Sequence, residues 1–509
     1  MRKRIKQILA GALCFGLAIS DKSALSLGEI NMDKVTVQAA ENVSDITIDG
    51  NNINKENKNG LTYKGFGLLT ANSTSDLLMD YKAEHPEKYV EMLQYLFGGS
   101  KPLMTHVKIE MGNDRNNSTG AESCTMRTED ETANVKRNAG FQLAADAKKI
   151  NPNIKISILR WNTPKWANTT EKQYKWYKNT IMAAYETYGY MVDYINPNRN
   201  EAWSDKTDTE NVKKFAKWIQ KENSDTIKDA KALDLYKKIK FIVSDEAEMI
   251  AKTAVNALYT DEEYKNAVAA IGWHYPYSVA SKSRDGADIL TKDDIIKIAD
   301  EMDKEVWNSE NQAVFSDSAF RPANNTTFKD DSGNVIAGSS GLGGTGSALE
   351  MGNYIIKSFV ESRRTHVIYQ PVIGAFYQGG QYSSKELIGA KDPWSGYVRY
   401  DAGTVILSHL SKFAVTGWEN EDNTAGIWRV IPQSSYCGED DANGDRRVVN
   451  STTGADSYMT LASPDKDEFS TLMINNSAKT KNYRISVKNM QLKDNHTLQC
   501  FETKAAGDG

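Results

Sequence analysis

Two glutamates stand where a short apolar run of the sequence gives way to polar residues. Glu201 follows the run 191–196, and Glu310 follows the run 305–308. Cleavage of a glycosidic bond needs one carboxyl group that protonates the leaving oxygen and a second carboxylate that stabilises or attacks the sugar carbon. A single Glu at the end of a run is more often a solvated loop residue, so the hypothesis depends on the pair. It assigns Glu201 as the proton donor and Glu310 as the nucleophile.

The elements that must position this pair are eight apolar runs with helical patterns between them, for example at 211–220 and 348–361. The runs are 63–69, 105–111, 154–161, 191–196, 239–244, 268–275, 305–308 and 366–373. The alternation favours a parallel sheet, and eight units predict a (β/α)8 TIM barrel of the α/β class, with an open doubly wound sheet as the alternative. Inward-leaning side chains from strands four and seven can place two carboxyl groups about 5 to 5.5 Å apart, the spacing of the retaining mechanism.

Other residues at the ends of these runs are candidates for substrate contact. Asn200, next to the acid, could hold the 2-hydroxyl of a sugar, and Trp161 could stack on the apolar face of a sugar ring. His274 and Tyr275 end the sixth run, where the Tyr275 hydroxyl could orient the nucleophile; a hydrogen-bonded core pair is the alternative. Asp245, after the fifth run, is either a hydrogen-bond acceptor behind the site or a cap on the next helix.

The remaining chain divides into three parts. Residues 1–40 begin with a basic segment and an apolar stretch at 8–19, the order of a signal peptide and leader, which predicts a secreted protein. Residues 41–62 contain a strand near Ile46 that is expected to join a C-terminal sheet. The barrel is assigned to 63–400. Residues 401–509 show short alternating runs separated by Asn, Gly, Asp and Ser, which predict an adjoining antiparallel β-sandwich.

Composition and motifs exclude several classes of function. With 40% hydrophobic and 25% charged residues the chain can form a full core, and its net charge of −5 argues against nucleic acid as a partner. The apolar stretch at 8–19 is too short for an integral membrane segment. The six histidines lack metal-ligand spacing, and the Gly-rich segment 341–346 follows no strand, so neither a metal nor a cofactor is expected. An odd cysteine count after residue 40 indicates no disulfide framework, although a Cys437–Cys500 bridge remains open.

An ordered set of motifs across residues 60–480 resembles the galactocerebrosidase family, family 59 of the glycoside hydrolases, in the clan of retaining barrel glycosidases. The motifs are Tyr63-Lys-Gly-Phe-Gly67, Val107-Lys-Ile-Glu-Met-Gly112, Asn151-Pro-Asn-Ile154, Trp161 with Pro164 and Trp166, Ile271-Gly-Trp-His-Tyr-Pro276, Trp307 to Glu310, and Pro393-Trp-Ser-Gly396. The resemblance implies hydrolysis of β-galactosides, a carbohydrate or glycolipid substrate, Glu201 as acid/base and Glu310 as nucleophile. It also implies that Trp161 and Asn200 contact the sugar.

The sequence departs from the family pattern at three sugar-contact positions. Arg199 stands where the family has a Trp before the Asn-Glu pair, Ala121 replaces a Thr, and Tyr369 falls near a family Trp at the end of strand eight and is therefore the corresponding candidate contact. Another activity of the clan, of the β-glucosidase, glucosylceramidase or xylanase type, is one alternative. A non-catalytic carbohydrate-binding protein is the other. The family's C-terminal lectin domain is also missing, so we expect either a shorter relative or a truncated chain.

Overall fold

The computed structural model describes most of the barrel and of the sheets beside it. The described residues are 8–10, 28–29, 43–56, 58–71, 74–115, 121–201, 206–246, 248–274, 292–311, 348–374, 387–390, 392–400, 402–415, 429–437, 456–476, 480–492 and 497–503. Most of the predicted signal peptide lies outside these residues. So do Tyr275 and the Gly-rich segment 341–346.

Eight parallel strands form a closed barrel in chain order, with the eighth strand pairing with the first. The barrel strands are Gly65–Leu69, His106–Glu110, Lys155–Leu159, Tyr194–Ile195, Lys240–Glu246, Val268–Trp273, Glu305–Asn311 and Arg364–Tyr369. Each lies within or overlaps one of the apolar runs in the sequence, because strands that are covered on both faces must be apolar along their length. The predicted TIM barrel is therefore confirmed, and the open sheet is excluded.

Eleven helices are found in the described residues. They are Thr74–Glu84, Pro86–Phe97, Ala139–Ile150, Thr170–Tyr188, Lys206–Lys221, Ala230–Lys237, Glu248–Thr260, Glu262–Ala267, Lys292–Met302, Ala348–Ser362 and Ala402–Phe413; single 3-10 turns are Gly50–Asn52, Asn59–Leu61, Val135–Arg137 and Pro432–Ser434. Several starts are fixed by side-chain caps. Thr169, Asp229 and Asp261 each accept a hydrogen bond from a backbone N–H in the first turn, which satisfies a donor that the helix itself leaves unpaired.

The last helix lies in the part of the chain that was predicted to form the sandwich. Ala402–Phe413 lies beyond residue 400, yet it packs against the barrel helix Ala348–Ser362 and against the first barrel strand. Its residues Val405, Leu407 and Leu410 are buried. The segment after residue 400 therefore begins with a helix, which also packs against strand Phe469–Asn475 of the adjoining sheets, because its apolar residues recur with the period of a helix rather than that of a strand.

The barrel interior contains a small apolar cluster and a polar layer. Leu69, Leu159, Ile242 and Trp307 belong to the inner apolar cluster, which is separate from the larger core between the strands and the helices. In the polar layer, the His106 and His366 rings stack and their Nδ1 and Nε2 atoms lie 3.0 Å apart. Both histidines are fully buried and their pKa values are lowered, mainly by burial, so both are neutral at pH 7. This packed interior supports the side chains above it.

Two small sheets form a layered unit beside the barrel. In one sheet, Asn482–Lys488 pairs in parallel with Val43–Asp49 and antiparallel with Ile8–Ala10. In the other, Asp456–Ala462 pairs antiparallel with Phe469–Asn475 and with Arg429–Val430. The side chains buried between them include Ile46, Ile48, Ile431, Ala462 and Tyr483. The unit thus has the sandwich arrangement, but its first sheet is mixed rather than antiparallel throughout.

The remaining short strands make two local pairings. Gly28–Glu29 pairs with Phe501–Glu502, and Ile373–Gly374, Ile388–Gly389 and Arg399–Tyr400 form a three-stranded sheet after barrel strand eight.

The cysteines of the described residues are free thiols. Cys124 and Cys437 are buried and Cys500 is half-buried. The Cys437–Cys500 bridge that the sequence left open is therefore not formed. Within the same residues, the helices are all too short or too polar to cross a lipid bilayer.

Candidate active site

The carboxyl ends of strands three to seven converge on one group of side chains. Trp161 follows strand three, Glu201 follows strand four, Asp245 lies at the end of strand five, His274 follows strand six, and Glu310 lies near the end of strand seven. In TIM-barrel enzymes this end of the barrel carries the catalytic residues. The structure therefore brings both predicted glutamates to the same place.

Glu310 is a buried carboxylate on a rigid strand. Strand seven continues to Asn311, three residues beyond the predicted end, and its pairing with strand eight is irregular between Asn308 and Asn311, so Glu310 lies inside the strand at this irregularity. Only 3% of its side chain is exposed, and its Oε2 lies 3.7 Å from Nδ1 of His274. A carboxylate held in this way is available only to a group that enters the barrel mouth.

Glu201 lies opposite on a short segment after strand four and is more accessible, with 42% of its side chain exposed. Its φ angle is +55°, a left-handed conformation that is uncommon for a residue with a side chain. The Glu201 backbone N–H donates to the backbone oxygen of Asp245 at 3.2 Å, and Trp161 Nε1 donates to Glu201 Oε2 at 3.3 Å. These contacts direct the carboxylate toward the barrel mouth.

The two carboxylates lie close together with a histidine between them. One oxygen of Glu201, one oxygen of Glu310 and Nδ1 of His274 all lie within 4.8 Å of one another. His274 Nδ1 is 3.5 Å from Glu201 Oε1. Three such atoms could in principle hold a metal ion, but an imidazolium has no free electron pair for a metal.

His274 is fully buried among carboxylates that favour its protonated form. Burial by itself lowers its pKa, but the charge of Glu310 and the hydrogen bonds to Asp245 and Glu201 outweigh burial and raise the pKa to about 10. The same imidazolium lowers the pKa of Glu201 below its ordinary value, although burial opposes this. At neutral pH the arrangement therefore favours a proton between the two glutamates.

Asp245 forms a hydrogen bond with the other ring nitrogen of this histidine. Its Oδ1 accepts hydrogen bonds from His274 Nε2 at 2.9 Å and from Lys108 Nζ at 2.7 Å, and neither the Asp245 nor the Lys108 side chain is more than 1% exposed. Burial raises the pKa of Asp245, but the charge of Lys108 and the contact with His274 more than offset this and hold it well below its usual range. Of the two sequence interpretations of Asp245, the hydrogen-bond acceptor is the one that the contacts support.

Lys108 is a functional neighbour that the sequence reasoning missed. It lies inside strand two, in the run Val107-Lys-Ile-Glu-Met111, where an apolar residue would be expected. A lysine in a strand that is buried on both faces is costly unless it finds a charged partner. That signal was present in the sequence and could have pointed to a buried carboxylate such as Asp245.

The predicted sugar contacts Asn200 and Trp161 both lie at the site. The Asn200 amide is assigned with its nitrogen toward Asp245, because it then donates to Oδ2 at 3.2 Å and to the backbone oxygen at 3.1 Å, while its oxygen accepts from Trp161 Nε1 at 3.2 Å. Asn200 is fully buried, whereas Trp161 is half-buried and packs on the inner apolar cluster. Trp161 is therefore the more accessible of the two to a ligand.

Tyr369 is not brought to the site. It is fully buried on the outer face of strand eight, in the core between strands and helices, with its ring 6.1 Å from that of Phe66. The neighbouring Ile368 points inward instead. Since alternate residues of a strand face opposite sides, the sugar contact expected of Tyr369 is not supported. Tyr275 lies outside the described residues, so the role suggested for its hydroxyl stays a prediction.

Comparison with known proteins identifies the family to which the chain is similar. The family model described as "Glycosyl hydrolase family 59" matches residues 63–412. Galactocerebrosidase of Danio rerio is 25% identical over 370 residues, and that of Homo sapiens is 25% identical over 368 residues; each alignment covers 70% of this chain, but only 46% and 44% of the respective relative. The chain therefore spans about half the length of the curated relatives it matches.

Solved structures share the fold at low sequence identity. The endo-beta1,6-glucanase BT3312 superimposes with a TM-score of 0.57 at 14% identity, covering 92% of this chain and 94% of that one. SrfJ from Salmonella typhimurium gives 0.51 at 13% identity, covering 89% and 94%. These similarities concern the fold alone, whereas the family model extends over more than half of the chain and includes both glutamates. The chain belongs to glycosyl hydrolase family 59.

Proposed function

We propose that this protein is a retaining glycoside hydrolase that removes terminal β-galactosyl groups by double displacement, as in galactosylceramide or another β-galactoside. The observation that carries the proposal is the Glu201–Glu310 pair, whose nearest oxygens lie within 4.8 Å of each other. Retaining enzymes hold their two carboxyl groups about 5 to 5.5 Å apart, whereas inverting enzymes need about 6.5 to 9.5 Å to admit a water molecule. The short spacing favours direct attack by a carboxylate.

In the first step, Glu310 Oε attacks the anomeric carbon as the bond to the leaving oxygen breaks. The leaving oxygen takes a proton from Glu201, and an ester forms between the sugar and Glu310. The exposures of the two groups fit these roles. Glu310, 3% exposed, lies below the sugar position, and Glu201, 42% exposed, faces the solvent side through which a leaving group departs.

In the second step, Glu201 is a carboxylate and accepts a proton from water. That water attacks the anomeric carbon, the ester to Glu310 breaks, and the sugar leaves with its original configuration. In the free site the proton that Glu201 must donate is held mainly on His274, whose Nδ1 lies 3.5 Å from Glu201 Oε1. The Glu201–His274 pair, rather than Glu201 alone, is then the acid of the first step.

The choice of a galactosyl substrate is supported by the names of the relatives, galactocerebrosidases, and by the sequence motifs. The half-buried Trp161 offers an aromatic platform beside Glu201. The alternative is another β-glycosidase activity, such as that of a β-glucosidase, glucosylceramidase or xylanase, because Ala121 and Arg199 replace family residues that contact the sugar. A carbohydrate or glycolipid is the substrate class in each of these cases.

Hydrolysis of p-nitrophenyl β-galactoside, β-glucoside and β-xyloside by the wild type and by Glu310→Gln tests the proposal. The variant is expected to lose roughly a thousandfold or more in turnover, because the nucleophile is gone. Glu305→Gln is the matched control. Glu305 is also a buried carboxylate of strand seven, but it lies at the other end, where it accepts hydrogen bonds from Trp307 and Thr365. Its variant should keep its turnover. A folded Glu310→Gln that remains nearly active refutes the assignment.

Azide rescue tests the acid/base separately. Glu201→Ala is expected to accumulate the glycosyl ester from an activated substrate, and added azide should release β-galactosyl azide, because azide attacks without needing a base. Turnover of only the glucoside or xyloside would reassign the sugar. A folded wild type that cleaves none of the glycosides would favour a carbohydrate-binding protein.

We also propose that the protein is exported. The support is the sequence alone, a basic segment at residues 1–6 followed by the apolar stretch 8–19. Mass spectrometry of the mature N-terminus after expression in a secreting host tests this. A cleaved protein in the medium is the expected result, and an uncleaved protein retained in the cells contradicts it.

A further inference from the structure

Asp245 contacts three separate elements around the two glutamates. Its Oδ1 accepts hydrogen bonds from Lys108 Nζ of strand two and from Nε2 of His274 after strand six. Its Oδ2 and its backbone oxygen accept hydrogen bonds from the Asn200 amide nitrogen, and the backbone oxygen also accepts one from the Glu201 N–H. One buried residue therefore fixes the position of the acid segment and the orientation of the imidazole.

The backbone at this position is strained. Ser244 and Asp245 have φ angles of +65° and +58°, and the pairing of strand five with strand six is irregular between Ser244 and Glu246. Glu201, hydrogen-bonded to Asp245, also has a positive φ. Left-handed residues with side chains are unfavourable and persist where surrounding contacts impose them. Here they turn the Asp245 carboxylate into the barrel, where it meets Lys108 and His274.

Four charged residues, each on a different element, lie around His274. Glu310 of strand seven and Glu201 after strand four face Nδ1, and Asp245 of strand five faces Nε2. Lys108 of strand two lies behind Asp245 and also donates to the backbone oxygen of Ser309 at 3.0 Å. With both ring nitrogens facing carboxylates, each one needs a hydrogen. A neutral imidazole has only one N–H hydrogen. Without the Asp245 carboxylate, Nε2 would have no negative acceptor and the doubly protonated ring would be less favoured.

We propose that Asp245, kept ionised by Lys108, is a positioning residue that holds His274 oriented and doubly protonated between Glu201 and Glu310, and so keeps the acid of the reaction loaded with its proton. The inference rests on the proposed function for its catalytic part. Asp245 does not touch the reacting atoms. It acts through His274 and through the Glu201 segment.

The sign of the effect follows from the charge. Asp245 is negative, and a nearby negative charge makes the last proton of the Glu201–His274 pair harder to remove. Neutralising Asp245 must therefore lower the pH at which that proton is lost. In the pH profile of kcat/KM, the alkaline limb reports this proton and the acid limb reports ionisation of the nucleophile. Only the alkaline limb should move toward acid.

The first experiment compares pH profiles of kcat/KM for the wild type, Asp245→Asn and Asp146→Asn on whichever aryl glycoside the wild type cleaves. Asp245→Asn is expected to shift the alkaline limb by at least one pH unit toward acid and to lower kcat/KM at pH 7.5 about tenfold or more. Asp146 is the matched control. It is also an aspartate paired with a lysine, Lys82, but it lies on an outer helix. Its variant should keep the wild-type profile. An alkaline limb that stays in place in Asp245→Asn overturns the proposal.

The second experiment does not depend on turnover. His274 is titrated by NMR of 13C-labelled histidine, with its signal identified by its loss in His274→Gln. In the wild type and in Asp146→Asn the ring should remain imidazolium through pH 8.5, and in Asp245→Asn it should titrate at least one pH unit below the wild type. An unchanged titration overturns the proposal even if no glycoside is cleaved, so failure of the proposed function and failure of this inference are distinguishable.

A charge-balanced variant covers the case in which Asp245→Asn does not fold because Lys108 is left buried and unpaired. Lys108→Met/Asp245→Asn removes both charges at once, which is far less destabilising than removing one partner of a buried pair. The acidward shift of the His274 titration should persist in it, though reduced, because the removed carboxylate is nearer to the ring than the removed ammonium. A titration equal to that of the wild type refutes the role of Asp245.

Discussion

Replacing His274 by Gln should change how the stability of the protein depends on pH. The pKa of His274 is raised from 6.5 to about 10 in the folded state, because burial is outweighed by Glu310, Asp245 and Glu201. A group whose pKa is raised on folding stabilises the protein fully below its unfolded pKa, and this stabilisation is lost as the pH rises through the folded pKa. The window for His274 is therefore between about pH 6.5 and pH 10.

The magnitude follows from linkage. For a pKa that rises from 6.5 to about 10, the ionisation of His274 contributes about 3 kcal/mol to the free energy of unfolding at pH 7.5 and about 1 kcal/mol at pH 9.5. The difference in unfolding free energy between the wild type and His274→Gln should therefore shrink by roughly 2 kcal/mol across this range. Urea unfolding followed by tryptophan fluorescence at several pH values measures it directly.

His409→Gln is the matched control for this measurement. His409 is half-buried, and burial lowers its pKa to about 4, so it is neutral in both states above pH 7.5. Its replacement should shift stability by a constant amount across the range. A pH-independent difference between the wild type and His274→Gln would mean that His274 is neutral in the folded protein, and it would refute the charge arrangement described for the site.

Three further substitutions test individual contacts. Trp161→Ala should raise KM for an aryl glycoside about tenfold with a smaller change in kcat, because a stacking platform contributes of the order of 1 kcal/mol; steady-state kinetics with Trp161→Phe as the control measures this, and an unchanged KM contradicts it. Tyr369→Phe should leave kcat/KM within twofold of the wild type and should not lower the urea midpoint, because the buried hydroxyl has no hydrogen-bond partner among the described residues; a large loss of activity would restore Tyr369 as a sugar contact. Gly272→Ala should destabilise the protein by about 1 to 3 kcal/mol in urea and reduce turnover, because the new Cβ would lie 2.5 Å from Ser309 Oγ and 3.0 Å from Asp245 Oδ1; a stable and fully active variant would show that the site can expand.

The barrel was predictable because each of its strands lies within or overlaps a short apolar run that alternates with a helical pattern. The period of apolar runs and helices fixed the number and order of the strands, and Lys206–Lys221 and Ala348–Ser362 lie where their sequence patterns indicate. The positions of Glu201 and Glu310 followed from the ends of strands four and seven. These features depend on local pattern and on the geometry common to all such barrels.

The same pattern could not predict which side chains of a strand point into the barrel and which point toward the helices. Where Val367, Ile368 and Tyr369 are all apolar, nothing in the sequence tells which one points into the barrel. A strand with polar residues on one side would have set the register. The Lys108–Asp245 pair was also missed, because the two residues are 137 positions apart and only the closed barrel brings them together.

The pairing of Val43–Asp49 with Asn482–Lys488 has a consequence for the order of folding. Thr47 Oγ1 and Ser486 Oγ, which lie 3.1 Å apart, are separated by 439 positions in the sequence. Because the partner strand lies near the other end of the chain, the first strand is synthesised well before the second one becomes available. Until then Ile46 and Ile48, which are buried in the finished protein, have no sheet to cover them. A chain cut short before residue 482 would lack the partner of Val43–Asp49, and the unpaired edge of this strand would be exposed to other chains and to proteases.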